Sequence, residues 1–113
     1  MTFNYHNKTF RSTSNSENGE VSAETIFEYK QNGNIVTAFY SGGSIISGQL
    51  IALVDGKGHL DMRYHHLNTA NEFKTGICKS IPEMLPNGKI RLHENWQWTC
   101  DDCSKGSSII EEV

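Results

Sequence analysis

The residues best suited to chemistry cluster in one stretch, Lys89 to Thr99. At the two-residue period of a β-strand, Ile90, Leu92, Glu94, Trp96 and Trp98 share one face, and Arg91, His93, Asn95, Gln97 and Thr99 share the other. The first face is apolar except for Glu94. A carboxylate turned into an apolar interior must find a partner or keep its proton, which makes Glu94 the first candidate for a functional group. Arg63 and His66 are its candidate partners. In the run His59 to Leu67, Leu60, Met62, Tyr64 and His66 alternate with His59, Asp61, Arg63 and His65, so those two candidates lie on opposite faces. Alternation favours Met62, Tyr64 and His66 inside. Adding Tyr29 and Phe39 gives a candidate ligand-binding set of Tyr29, Phe39, Met62, Tyr64, His66, Glu94, Trp96 and Trp98. Aromatic walls with a few convergent polar groups are what a small-molecule site requires.

Other reactive side chains form weaker patterns. His65 and His66 are adjacent, and so are His93 and Glu94, so each pair points to opposite faces of a strand and is poorly placed to share one metal ion. Surface histidines are the better reading, and no metal is expected. Cys100-Asp101-Asp102-Cys103 is a Cys-x-x-Cys, but no helix N-terminus follows to activate a thiol, and Cys78 alone cannot complete a zinc site. The pair reads as two loop cysteines. No serine lies in a Gly-x-Ser-x-Gly elbow, so nucleophilic catalysis has no specific signal and no catalytic residue is assigned.

The elements that must position these residues are β-hairpins. Turn signals recur at Asn18-Gly19, Asn32-Gly33, Gly42-Gly43, Asp55-Gly56-Lys57-Gly58 and Asn87-Gly88. Between them lie runs rich in β-branched and aromatic residues. Strands are expected at Phe3 to His6, Thr9 to Ser16, Thr25 to Gln31, Asn34 to Tyr40, Ser44 to Val54, His59 to Leu67, Phe73 to Ser80, Lys89 to Thr99 and Ser107 to Glu112. No segment carries a sustained 3.6-residue stripe, and a turn within Val21 to Glu24 is the one helical candidate. Ser44 to Val54 is apolar on both faces, with Gly48 as the place for a bend or bulge. Strands joined by short turns, with no helix to cover a face, must bury that face against one another. The expected fold is all-β, an antiparallel up-and-down meander of about eight strands forming a closed or nearly closed barrel. Eight strands enclose side chains or one small ligand. A filled core, with Glu94 paired structurally near a barrel end, is the competing arrangement. If the last strand, ending in Glu111-Glu112-Val113, pairs with the first, the barrel closes; if not, an exposed edge would favour a dimer.

At 113 residues, the chain is one domain, residues 1–113. A formal net charge of −3 offers no basic footprint, so no nucleic-acid partner is expected. The longest apolar run, Leu50 to Val54, is far shorter than the roughly 20 residues of a membrane helix, so no membrane partner is expected. The stretch Met1 to Lys8 lacks the basic and apolar regions of a secretory signal, which with three cysteines points to a reduced, cytoplasmic setting. No motif implies a cofactor.

Gly58-His59-Leu60-Asp61-Met62-Arg63-Tyr64-His65-His66, followed by Gly88-Lys89-Ile90-Arg91-Leu92-His93-Glu94-Asn95-Trp96-Gln97-Trp98-Thr99, resembles a family of small uncharacterised proteins from Bacillus and related Firmicutes. Ser14-Asn15-Ser16-Glu17-Asn18-Gly19-Glu20-Val21-Ser22 is similar to the same family near its start, so the likeness covers nearly the whole chain. Members carry the label N-acetylglutamate synthase. That activity implies an acetyl-CoA-binding strand, loop and helix, and no such unit is readable here. The hairpin pattern is also similar in architecture to the lipocalin, avidin and fatty-acid-binding barrels, the calycins, although no clear Gly-x-Trp stands near the first strand.

These observations point first to a non-catalytic barrel for a small apolar or amphipathic ligand, acting as monomer or homodimer, with a cavity of roughly a few hundred Å³. The alternatives are an enzyme using Glu94 and His66 as acid and base in the barrel mouth, and a structural or protein-interaction module.

Overall fold

The computed structural model describes residues 3–113, so the first two residues of the N-terminal stretch lie outside the description. Eight strands follow one another: β1 (Lys8–Asn15), β2 (Ile26–Asn32), β3 (Ile35–Gly42), β4 (Ile45–Val54), β5 (Leu60–Asn68), β6 (Phe73–Met84), β7 (Ile90–Trp98) and β8 (Lys105–Glu112). Each pairs antiparallel with the next, and β8 returns to β1, with Phe10 opposite Glu112 and Asn15 opposite Ser108. The result is the closed up-and-down barrel that the alternation implies. Closure also removes the free edge through which a dimer would have formed.

Several expectations need correction. Phe3 to His6 is not a strand; Phe3 to Tyr5 is irregular and His6-Asn7 is a turn. This segment plugs one end of the barrel: Tyr5 is fully buried, its backbone N–H donates to Gln31 Oε1 (2.9 Å) and its hydroxyl donates to the Gly58 carbonyl (2.5 Å). β6 runs four residues past Ser80, because beyond the end of β5 it has a neighbour on one side only, where Pro82 can sit without breaking a second ladder. The short hairpins turn at Gly33-Asn34 and Gly43-Ser44, with positive φ at the glycine but not at its follower, so the turn type differs from the doubly positive one that Asn-Gly suggests. Ala23-Glu24 is a turn and no helix forms among the described residues.

Gly48 does not bend β4. The register shift falls between Ile45 and Ser47, which turns Ile45 inward and leaves Ile46 exposed. Gly48 stays in ladder, opposite Tyr40 on one side and His66 on the other. It makes one of three matching pairs: Tyr40 opposite Gly48, Tyr64 opposite Gly76, and Trp96 opposite Gly106. In each, the ring lies where the glycine's side chain would be. A Cβ at these positions would fall 2.4 Å from the Tyr40 ring, 2.2 Å from the Tyr64 ring and 2.2 Å from the Trp96 ring. An eight-strand interior is narrow, and the missing side chains are what let three large rings turn inward.

Gly76→Ala and Gly106→Ala should each destabilise the fold by about 1–3 kcal/mol through overpacking. Gly56→Ala, where an added Cβ meets nothing within 4 Å, should change stability little. Urea unfolding of the three variants checks both expectations.

Candidate functional site

The barrel has two unlike ends. The end closed by Tyr5 is filled with Phe10, Tyr29, Val36, Leu60 and Leu92, all essentially without solvent contact. Towards the other end the packing loosens into a cavity of about 50 Å³. Its walls are Phe27, Tyr40, Leu50, Met62, Tyr64, Cys78, Trp96 and Trp98, its polar groups include His66, Glu94 and Ser108, and Gly19, Glu20 and Val21 of the β1–β2 loop lie over it. The volume is well below the few hundred Å³ expected, because the three inward rings and that loop take up the space. Trp96 and Trp98 pack at 5.4 Å between ring centroids, and Tyr64 and His66 each meet Trp98 edge-on at about 6 Å.

Of the eight candidate ligand residues, Met62, Tyr64, His66, Glu94, Trp96 and Trp98 line this one cavity. Tyr29 faces the interior as expected but does not reach the cavity wall; its ring sits in the packed end, 4.7 Å from Phe10. Its hydroxyl is the one buried side-chain polar atom among the described residues with no hydrogen-bond partner. Phe39 is misplaced: it is 66% exposed on the outer face of β3, and Tyr40 takes the inward position. β3 is apolar at both Phe39 and Tyr40, so composition alone could not choose; pairing does, since Val36, Ala38 and Tyr40 stand opposite the inward Ala52, Leu50 and Gly48.

Glu94 is buried, and its partners are neither Arg63 nor His66. Ser80 Oγ donates to one carboxyl oxygen (3.1 Å) and Ser108 Oγ to the other (3.0 Å). Both serines are its direct cross-strand neighbours, on β6 and β8. Burial raises the carboxyl to about 7, with the two serine bonds pulling against that rise. Arg63 lies on the outer face and bonds Asp61 (2.8 Å). Nearby, burial and the Glu94 charge push the Cys78 thiol and the Tyr29 hydroxyl upwards.

His66 belongs to a different set of bonds. Its Nε2 lies 2.7 Å from Glu20 Oε1 and its Nδ1 lies 3.0 Å from the Tyr40 hydroxyl. Burial lowers its pKa, against the opposing pull of Glu20, so the ring is neutral at pH 7. A carboxylate only accepts, so Nε2 carries the proton and Nδ1 accepts from Tyr40. Asn68 completes the cluster, its Nδ2 donating to Glu20 Oε2 at 3.0 Å. Glu20, Tyr40, Asn68, Ser80 and Ser108 were not in the candidate set. Ser80 and Ser108 were recoverable as inward neighbours of Glu94 once β6 and β8 were registered. Glu20 carried no signal, since it lies in a loop with no period.

Among the described residues no group of three His, Cys, Asp or Glu side chains converges on a metal position. Cys100 and Cys103 are free thiols in the loop after β7, where the Cys103 N–H closes a turn onto the Cys100 carbonyl.

A closed eight-strand meander with a cavity at one mouth defines a calycin-type barrel. The family model for avidin-like proteins matches residues 3–113, and the chain belongs to that family. No curated protein and no solved structure matches it.

The position of Glu94 makes stability depend on pH. Its carboxyl titrates near 4.5 when unfolded and about 7 when folded, so between those values the folded chain holds the extra proton. Its contribution is complete below 4.5 and is lost as pH rises through 7. Glu94→Gln should therefore match the wild type near pH 4 and exceed it at pH 8.5, by up to about 3 kcal/mol. Urea midpoints at the two pH values test this.

Proposed function

We propose that the barrel is a non-catalytic binding protein for a small apolar or amphipathic molecule, taken up at the mouth. The observation carrying this reading is the concentration of Tyr64, Trp96, Trp98 and Met62 around one cavity beside a buried carboxyl, in a domain otherwise filled to its far end. Membership of the avidin-like family supports a ligand-holding barrel. The hydrogen bonding favours binding over acid–base chemistry: Glu94 is engaged by two serines, His66 by Tyr40 and Glu20, and no hydrogen bond joins Glu94 to His66. Native mass spectrometry of freshly purified protein should show a co-purified small molecule, or the emptied barrel should take up an apolar fluorophore with a change in Trp96 and Trp98 emission. Leu50→Phe, which adds volume to the cavity wall, should abolish uptake while the protein stays folded. A folded wild type that takes up nothing from a broad panel of apolar and amphipathic compounds would sink the reading.

A specific surface feature supports an additional role in self-association. With no edge available, contact between copies would be face to face. The outer faces of β3, β4 and β6 carry Ile35, Phe39, Ile51, Leu53 and Ile77, each at least 36% exposed. Ile35 stands opposite Leu53, and Ile51 and Ile77 flank Arg63 on its two sides, so the residues form one patch. A homodimer through this face predicts a dimer mass by sedimentation equilibrium that falls to monomer in Phe39→Lys/Ile51→Lys. A monomer at all concentrations tested would exclude it.

A further inference from the structure

We propose that the β1–β2 loop, residues 16–25, is a lid, that Glu20 is its latch, and that the lid stands in for the acceptor-rich end of the ligand. The consequence for ligands rests on the binding reading above; the lid itself does not.

The loop crosses the cavity mouth without joining the sheet. Between Glu17 and Glu24 its hold on the barrel comes from side chains. At the two ends of the loop Ser16 and Thr25 donate to barrel carbonyls, of Ser107 and Gly42; over the cavity, between Glu17 and Glu24, the bonds from the rim beside it run the other way. Asn15 Nδ2 donates to the Val21 carbonyl (2.9 Å), His66 Nε2 to Glu20 Oε1 (2.7 Å), Asn68 Nδ2 to Glu20 Oε2 (3.0 Å) and Trp98 Nε1 to the Asn18 carbonyl (3.0 Å). The rim supplies four donors and the lid four acceptors. Within Glu17–Glu24 the residue that donates outward is Asn18, whose Nδ2 reaches Ser104 Oγ and the Lys105 carbonyl at the start of β8. A barrel that needed only a cover would have no reason to collect donors of this kind.

The geometry around Glu20 is that of a carboxylate-binding site. His66 is 2% exposed and Asn68 4% exposed, and both aim at the two oxygens of one carboxylate. Asn68 is itself fixed by its Oδ1, which accepts from the Ala70 and Glu72 N–H groups. Tyr40 fixes the ring of His66 from the other side. The donors are therefore held by the barrel, whereas the acceptor rides on the loop. Lifting the loop leaves these donors facing an enlarged cavity. The occupant that satisfies them has a flat apolar body against Trp96, Trp98 and Tyr64, and an anionic or carbonyl-rich end at the rim.

The test uses the full-length chain. Trp96 and Trp98 are its only tryptophans, both 8% exposed, so acrylamide quenching reads lid opening directly. Asn68→Asp preserves the Oδ1 bonds that hold the β5–β6 turn but replaces the Nδ2 donor with an oxygen that repels Glu20. Glu20→Ala and Asn68→Asp should each raise quenching about five- to tenfold, while Glu17→Ala, in the same loop, should leave it unchanged. Adding Glu20→Gln to Asn68→Asp should restore protection, because the new amide donates to Asp and still accepts from His66. Two probes with the same aromatic body then test the ligand class: anilinonaphthalene sulfonate and the neutral N-phenyl-1-naphthylamine. Glu20→Ala should gain more affinity for the sulfonate than for the neutral amine. Unchanged quenching in both single variants, or no rescue in the double variant, overturns the lid. Equal gains for the two probes overturn the acceptor-rich end. Raised quenching with neither probe bound keeps the lid and counts against the binding reading, whereas probe uptake with unchanged quenching does the reverse.

Discussion

Closing β1 onto β8 imposes the constraint from which the rest follows. Eight strands whose inward side chains share one narrow column must place every ring, hydroxyl and carboxyl without leaving the backbone ladder. Large rings at one end fill the column to solid packing around Tyr29 and Phe10. At the other end the same constraint is met by deleting side chains, at Gly48, Gly76 and Gly106, so that Tyr40, Tyr64 and Trp96 can be accommodated. The cavity lies among this second set of rings, and its small size reflects how much of the column they still occupy.

Two ionisable groups share that column and are handled in opposite ways. Burial raises the Glu94 carboxyl to about 7 against the pull of the hydroxyls of its two ladder neighbours, so it keeps its proton on the acid side of neutrality. His66 loses its proton to burial and uses the remaining N–H to hold a charge carried by a loop. Burial disfavours charge on both, in one by holding a proton longer and in the other by releasing it sooner. Glu20, on the side open to solvent, is the carboxylate that faces His66.

The fold was legible because its signal is periodic. Strict alternation in β5 and β7 put Met62, Tyr64, His66, Glu94, Trp96 and Trp98 on one side correctly, and Gly-containing turns marked the hairpins. What was not legible depended on pairing between strands or on loops. Phe39 and Tyr40 are adjacent and both apolar enough to be buried, so only the β3–β4 register separates them. The partners of Glu94 come from the two strands beside β7, where only the register shows which residues stand opposite it, and a carboxylate's natural partner by charge, Arg63, lies on the outer surface. Gly48 looked like a bend because glycine in a strand usually marks one; its purpose, to make room for a ring on the next strand, is visible only once the strands are side by side. Glu20 sits where no period applies.

The aromatic and glycine pairs have a further consequence for how the chain finds its alignment. A strand that slips by one residue turns its whole inward set outward, and a slip by two keeps the faces but shifts every partner. In this barrel a two-residue slip of β4 past β3 would bring Tyr40 opposite Leu50 or Ile46 in place of Gly48, and the ring would meet a side chain where it now meets none. The same holds for β6 against β5 and for β8 against β7, which places one such keyed position in each of the three alternate hairpins from β3 to β8. The glycines that open space for the rings thus also penalise misaligned sheets, and fidelity of strand pairing is written into the same residues that shape the interior.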